Sequence, residues 1–241
     1  MCYHDAMEKD IQKALKELAE PERVAVLSSF FKTGPGEYGE GDVFIGVTVP
    51  NVRKVARRFA QADEPSIHAL LDSPIHEERL CALLILVHRF ENGDDREKKR
   101  VYDLYLASTD RINNWDLVDV TAHKVVGAHL VDRSRKPLYA LARSASLWER
   151  RIAIISCFAF IRRDDLTDAF KLAEILLNDE HDLMHKAVGW VLREAGKRNL
   201  EAVETFLVPR YRDMPRTMLR YAIERFPEAR RQAYLKGTAT A

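Results

Sequence analysis

HEERLCALLIL at residues 76–86 is followed by NNWDLVDVTAHKV at 113–125, WERRIAIISCF at 148–158 and LMHKAVGWVLR at 183–193. Each stretch sets apolar residues three and four apart, the spacing of a helix with a buried face. Aligning Arg79, Trp115, Arg151 and Lys186 gives intervals of 36, 36 and 35 residues, and PRTMLRYAIERF at 215–226 adds a weaker fifth member, with Arg216 a further 30 residues on. Helices that recur roughly every 30 to 50 residues are the signature of stacked helix pairs of the HEAT or armadillo kind. One such pair cannot bury its apolar stripe alone, so its neighbours supply the core. The sequence therefore predicts an all-α, HEAT-like superhelical solenoid, a single repeat domain over residues 1–241 with a right-handed curve. The aligned polar positions would share one continuous face.

Composition fits a water-exposed fold of this type, with 46% hydrophobic and 31% charged residues among 241. The most apolar run, LCALLILV at 80–87, is far short of the roughly 20 residues a membrane helix needs, so it reads as a buried helix and no membrane contact is expected. The opening MCYHDAMEKD has neither the apolar core nor the small-residue cleavage pattern of a secretory signal, which points to a cytoplasmic protein. Cys2, Cys81 and Cys157 lack paired metal-ligand spacing, and the last two stand in apolar helical runs, where cysteine acts as a small hydrophobe. The net charge of +1 hides a gradient: residues 1–50 carry nine acids and five bases, residues 181–241 seven acids and twelve bases. A polyanion would meet an uneven surface, although exposed helices are often basic without binding one.

The chain opens with two short helical patterns between Met7 and Lys32, separated at Pro21, a residue that starts helices rather than continuing them. TGPGEYGEGDVFIGVTVP at 33–50 concentrates glycine and proline and predicts a long, shaped connection. Pro50 then starts a helix on which Arg53, Lys54 and Arg57 form a basic edge. Further helices are expected at 66–72, 76–90, 94–109, 113–129, 134–144, 147–162, 165–177, 181–197, 201–209, 214–225 and 227–236.

Trp115 and Asp119 stand four residues apart, hence on nearly one helical face, with Asp116 turned away from it. An aromatic surface and a carboxylate can thus address one ligand, the first by stacking on a base or sugar, the second by stabilising positive charge or orienting water. The packing alternative makes Trp115 an anchor between helices and Asp119 a cap or ion-pair partner. Arg151 and Lys186, in the assigned repeat phase, offer cations to a phosphate backbone; Arg151 could equally bridge successive layers. Trp190, one turn beyond Lys186, is either a second aromatic wall or core, and Trp148 is assigned to packing between helices. His123 with His129, and His181 with His185, do not complete a metal ligand set, so no metal is expected.

At this point the chain resembles the AlkD-type DNA alkylation-repair proteins, a HEAT-like family that includes alkylpurine DNA glycosylases. The resemblance runs over nearly the whole chain and is carried by FIGVTVPNVRK at 44–54, NNWDLVD at 113–119, SLWERRIAI at 146–154 and HKAVGWVLRE at 185–194, in that order. It implies that Asp119 is the catalytic carboxylate beside Trp115 and that Arg151 and Trp190 contact DNA; Lys186, from its repeat phase, and Arg53, Lys54 and Arg57, from their basic edge, are expected to flank the backbone. The implied partner is double-stranded DNA containing alkylated purines, and the solenoid architecture itself leads to the expectation of a monomer. The implied reaction is hydrolysis of the N-glycosidic bond of cationic N3- or N7-alkylated purines, leaving an abasic site. Where the family often has a tyrosine this chain offers Phe30 or Phe31, which keeps an apolar surface and drops the phenol, while Tyr38 lies beyond a gap. Two other readings use the same scaffold: a DNA-binding HEAT-repeat protein without catalysis that recognises distorted or branched DNA, and a protein-interaction scaffold.

Overall fold

The computed structural model describes residues 3–240, with side chains from Met7 onward, so Cys2 lies outside the described residues. In chain order the helices are α1 (Tyr3–Lys16), α2 (Val24–Phe30), α3 (Val49–Arg58), α4 (Glu64–Leu71), α5 (His76–Asn92), α6 (Asp95–Ala107), α7 (Trp115–Ala122), α8 (Ala128–Leu130), α9 (Lys136–Leu141), α10 (Leu147–Ser156), α11 (Phe158–Ile161), α12 (Thr167–Ile175), α13 (Asp182–Arg198), α14 (Leu200–Leu207), α15 (Arg216–Ala222) and α16 (Glu228–Lys236). A 3₁₀ turn at Pro21–Arg23 precedes α2, and a π-helical turn at His123–Gly127 follows α7. Among the described residues β pairing is confined to an isolated parallel bridge between Val43 and Ile75. The fold is all-α and HEAT-like, and the chain divides into two compact units, residues 1–125 and 126–241.

In the first unit α5 is the hub, packed by α3, α4, α6 and α7. Every residue from Leu80 to Val87 is buried, as the run LCALLILV requires of a helix covered on all sides. More unusual is its first turn, where His76, Glu77, Glu78 and Arg79 are 1–4% exposed. Charged groups so far from water need partners, and the glycine-rich connection at 33–48 supplies them to His76, Glu77 and Arg79, whereas Glu78 accepts from Gln12 of α1 at 3.1 Å.

In the second unit α13 plays the same part, packed by α10, α12, α14 and α15. At Gly189 it comes close to α15: an added Cβ would stand 2.5 Å from both the Met218 carbonyl oxygen and the Tyr221 Cβ. Glycine lets α13 and α15 meet there, a use of the missing side chain that spacing alone does not reveal.

Three helices fasten the loop that precedes them in one manner. The fourth residue of α5, α10 and α13 reaches back six positions: Arg79 Nη1 donates to the Ser73 carbonyl at 2.9 Å, Arg150 Nη1 to Ser144 at 3.0 Å and His185 Nε2 to Asp179 at 2.5 Å. This motif corrects the repeat phase expected from sequence. Counted from the helix start, Arg79 is fourth, Trp115 first, and Arg151 and Lys186 fifth. Near-constant spacing along the chain conceals linkers of unequal length, so only Arg151 and Lys186 occupy equivalent positions, and their counterpart on α7 is Asp119 rather than Trp115.

Candidate nucleic-acid interface

The local fold around Trp115 begins with its neighbours. Asn114 caps α7, its side-chain oxygen accepting from the Trp115 amide at 2.8 Å, and its Nδ2 donates to Asp42 at 2.9 Å. Such a cap satisfies one of the open amides at a helix start. The indole, half-buried, stacks on Phe31 with centroids 5.2 Å apart and planes 18° apart, and meets Phe30 edge-on at 5.7 Å. Phe31 in turn stacks on Phe44 at 5.0 Å, and Phe44 on the His76 ring at 4.6 Å. The two phenylalanines take different places: Phe31 is 7% exposed and supports the indole from behind, whereas Phe30 is 60% exposed and forms the outer edge. Tyr38 belongs to the same neighbourhood, its hydroxyl donating to the Phe30 carbonyl at 3.5 Å.

Asp119 lies one turn beyond Trp115 on α7, half-buried. His123 Nδ1 donates to its backbone carbonyl at 3.1 Å. Burial raises the Tyr105 phenol well above its ordinary range, and the negative charge of Asp119 adds to that effect. The carboxylate therefore acts electrostatically on a group inside the helix stack.

The glycine-rich connection is held by two buried carboxylates. Glu77 accepts from the backbone amides of Ile45 at 3.1 Å, Gly46 at 2.8 Å and Val47 at 3.2 Å. Gly46 has φ +87°, and a Cβ there would stand 2.1 Å from the Glu20 carbonyl oxygen, so no other residue lets the chain pass at this point. Asp42 receives His76 Nδ1 at 3.0 Å, Asn114 Nδ2 at 2.9 Å and an ion pair from Arg79. Burial opposes the charge on Asp42, but the hydrogen bond of His76, the charge of Arg79 and the hydrogen bond of Asn114 hold its carboxyl below the usual range. The backbone closes the same contact, with Val43 donating to Pro74 at 3.0 Å and His76 donating to Val43 at 2.8 Å.

The remaining expected residues divide by unit. On α3, Arg53, Lys54 and Arg57 are exposed, opposite the buried Val52, Val55 and Ala56, so the basic edge exists as a helix face. In the second unit Arg151 is 4% exposed and donates to the Leu183 carbonyl at 2.6 Å, tying α10 to the first turn of α13. Lys186 pairs with Asp182 at 2.7 Å. Trp190, half-buried, lies 4.7 Å from the Phe158 ring. His181 caps α13 through Nδ1 at 3.1 Å from the Leu183 amide. Sequence reasoning did not identify Asp42, Phe44, His76, Glu77, Asn114 or Asp116 as parts of the assembly. Their one legible trace is the HEER opening of α5, four polar residues at the head of an apolar helix.

A cavity of about 770 Å³ lined by α14, α16 and the last residues, with Glu204, Arg230 and Tyr234 in its wall, includes none of the residues expected to touch DNA. Cys81 and Cys157 are buried and free, and burial raises both thiols above the usual range. No helix among the described residues is long and apolar enough to cross a membrane.

Comparison with known proteins gives this geometry a context. A solved structure described as a predicted DNA alkylation repair enzyme from Enterococcus faecalis superposes with a TM-score of 0.66 at 17% identity, covering 87% of this chain and 97% of that one. At that identity the likeness is one of fold. Among curated proteins none matches the chain. The sequence does match the family described as DNA alkylation repair enzyme over residues 11–226, which includes α7 and most of both units, and the chain belongs to that family.

Proposed function

We propose that the protein is a DNA glycosylase that hydrolyses the N-glycosidic bond of cationic N3- or N7-alkylated purines in duplex DNA. The observation that carries this reading is the pairing on α7 of a half-buried indole, backed by Phe31 and edged by exposed Phe30, with a carboxylate one turn away. As the bond to a cationic purine breaks, positive charge passes from the leaving base to the sugar. A fixed anion beside the sugar stabilises that charge more in the transition state than in the ground state. Asp119 takes this role and orients the attacking water. Trp115 and Phe30 supply aromatic surface against the damaged nucleotide, and Arg53, Lys54, Arg57 and Lys186 contact phosphate. Arg151 acts through the α10–α13 contact, which sets the position of Lys186 and Trp190. The departing base is already a good leaving group, so the residues present are sufficient without a cofactor.

Release of N3-methyladenine and N7-methylguanine from methylated duplex DNA under single-turnover conditions tests the reading. Asp119→Asn, shown to be folded by its unfolding transition, is expected to release base about a hundredfold or more slowly. Equal rates for the two proteins would remove Asp119 from the chemistry. DNA binding without turnover is the second reading, and it is favoured by the absence of a phenol at positions 30 and 31. Salt-sensitive DNA binding with no base release from wild type would establish it.

A further inference from the structure

We infer that His76 is a positioning residue for the candidate site, and that its bridge between Asp42 and Asp116 sets the orientation of Trp115 against Phe31. The inference rests on the reading that the Trp115 surface meets DNA. His76 Nδ1 lies 3.0 Å from Asp42 Oδ2 and Nε2 lies 2.8 Å from Asp116 Oδ2. Ionised carboxylates only accept, so both ring nitrogens donate and the imidazole carries a positive charge. Burial works against that charge, yet the charges and hydrogen bonds of Asp116 and Asp42 lift the ring from its ordinary value to about 9.

The two carboxylates come from different parts of the unit. Asp42 belongs to the glycine-rich connection, and Asp116 lies in the first turn of α7. Trp115 stands between Asn114 and Asp116, and both are fastened to this bridge: Asn114 donates to Asp42 Oδ2, while Asp116 accepts from His76 through Oδ2 and from the Leu117 amide through Oδ1 at 2.9 Å. The aromatic series ends on the same residue, since the His76 ring stacks on Phe44 and lies 5.1 Å from Phe31, the ring that supports the indole. Charge and stacking thus converge on His76 from two directions. The charged groups facing it are Asp42 from the connection, Asp116 from α7 and, across Asp42, Arg79 of its own helix. Without the histidine, Arg79 and Asn114 still hold Asp42, whereas Asp116 loses its cross-element partner. The expected consequence is a shift of the start of α7 within a folded unit.

Fluorine NMR of the full chain labelled with 5-fluorotryptophan tests this directly, with the Trp115 resonance assigned by its absence in Trp115→Phe. In wild type that resonance should move between pH 7 and 10 with a midpoint near 9. In His76→Gln it should be displaced already at pH 7 and lose this transition. Asp116→Asn leaves the histidine with Asp42 alone, and its midpoint should fall by at least about one pH unit, the difference an opposite charge at hydrogen-bond distance makes. A wild-type resonance indifferent to pH, or an unshifted midpoint in Asp116→Asn, would overturn the inference even if His76→Gln does not fold. Base release measured on the same samples should fall at least about tenfold in Asp116→Asn at pH 8, as misplaced catalytic groups do. Absence of release from wild type would sink the glycosylase reading, while the resonance midpoint still upholds or overturns the positioning role.

Discussion

Replacing Glu77 by alanine removes the acceptor shared by the amides of Ile45, Gly46 and Val47. The Gly46 and Val47 bonds are buried, whereas the Ile45 bond is only partly so. A buried amide left without a partner costs about 1–3 kcal/mol, so the two buried amides together predict a loss of about 2–6 kcal/mol. Ile45 adds little because water can reach it. Glu77→Gln keeps one carbonyl oxygen for Gly46 and Val47, both of which bond the same carboxylate oxygen in the native protein. It should cost about 1–2 kcal/mol through loss of the charged acceptor. Urea unfolding measures both values, and amide exchange at residues 45–47 reports whether the connection is released locally before global unfolding. Should Glu77→Ala be too unstable to purify, the glutamine variant still carries the comparison. A loss below about 1 kcal/mol for alanine, with the three amides still protected, would refute the anchoring argument.

Two further expectations follow from the second unit and from α3. Gly189→Ala should cost about 1–3 kcal/mol in urea unfolding because its Cβ meets the α15 backbone, whereas Gly196→Ala on the same helix has only Phe226 and Val203 at 3.7 and 3.8 Å and should be neutral or stabilising. Equal effects at the two glycines would contradict the close approach of α13 and α15. The triple variant Arg53→Ala, Lys54→Ala, Arg57→Ala should change stability little and lower the slope of log affinity for DNA against log salt by roughly two to three, about one per lost phosphate contact. An unchanged slope would place the phosphate contacts elsewhere.

Helix period was the strongest signal in the chain. The stretch expected at 76–90 forms as His76–Asn92, that at 181–197 as Asp182–Arg198, and that at 227–236 as Glu228–Lys236. Periodicity failed where a helix breaks without a polar break in sequence. The single helix expected at 113–129 is α7, a π-helical turn and α8, and the π turn ends at Gly127, where a Cβ would stand 2.3 Å from the Ser156 carbonyl oxygen. The run expected at 147–162 divides at Cys157 into α10 and α11. In the candidate site, four-residue spacing correctly set Trp115 and Asp119 one turn apart, and the basic face of α3 was readable in the same way. The anchor beneath them was not. Asp42 meets His76, Arg79 and Asn114 across 34, 37 and 72 residues of chain. Such contacts pass through an irregular connection that has no period to read, and glycine content there shows only that the backbone turns.

Asp42 serves this chain as a crosslink. It ties residues as far apart in sequence as many disulfides do, in a protein whose Cys81 and Cys157 are both free and buried. A covalent bridge confines the unfolded chain and answers to the reducing poise of its surroundings. The Asp42 junction exists only in the folded state and answers to protons. The His76 part of its stability is present below the ring's ordinary value near 6.5 and is lost as pH rises through about 9, when the ring gives up its charge. The connection beside Trp115 is thus fastened by contacts that reductant leaves in place and that alkali loosens at His76, while Arg79 and Asn114 keep their hold on Asp42.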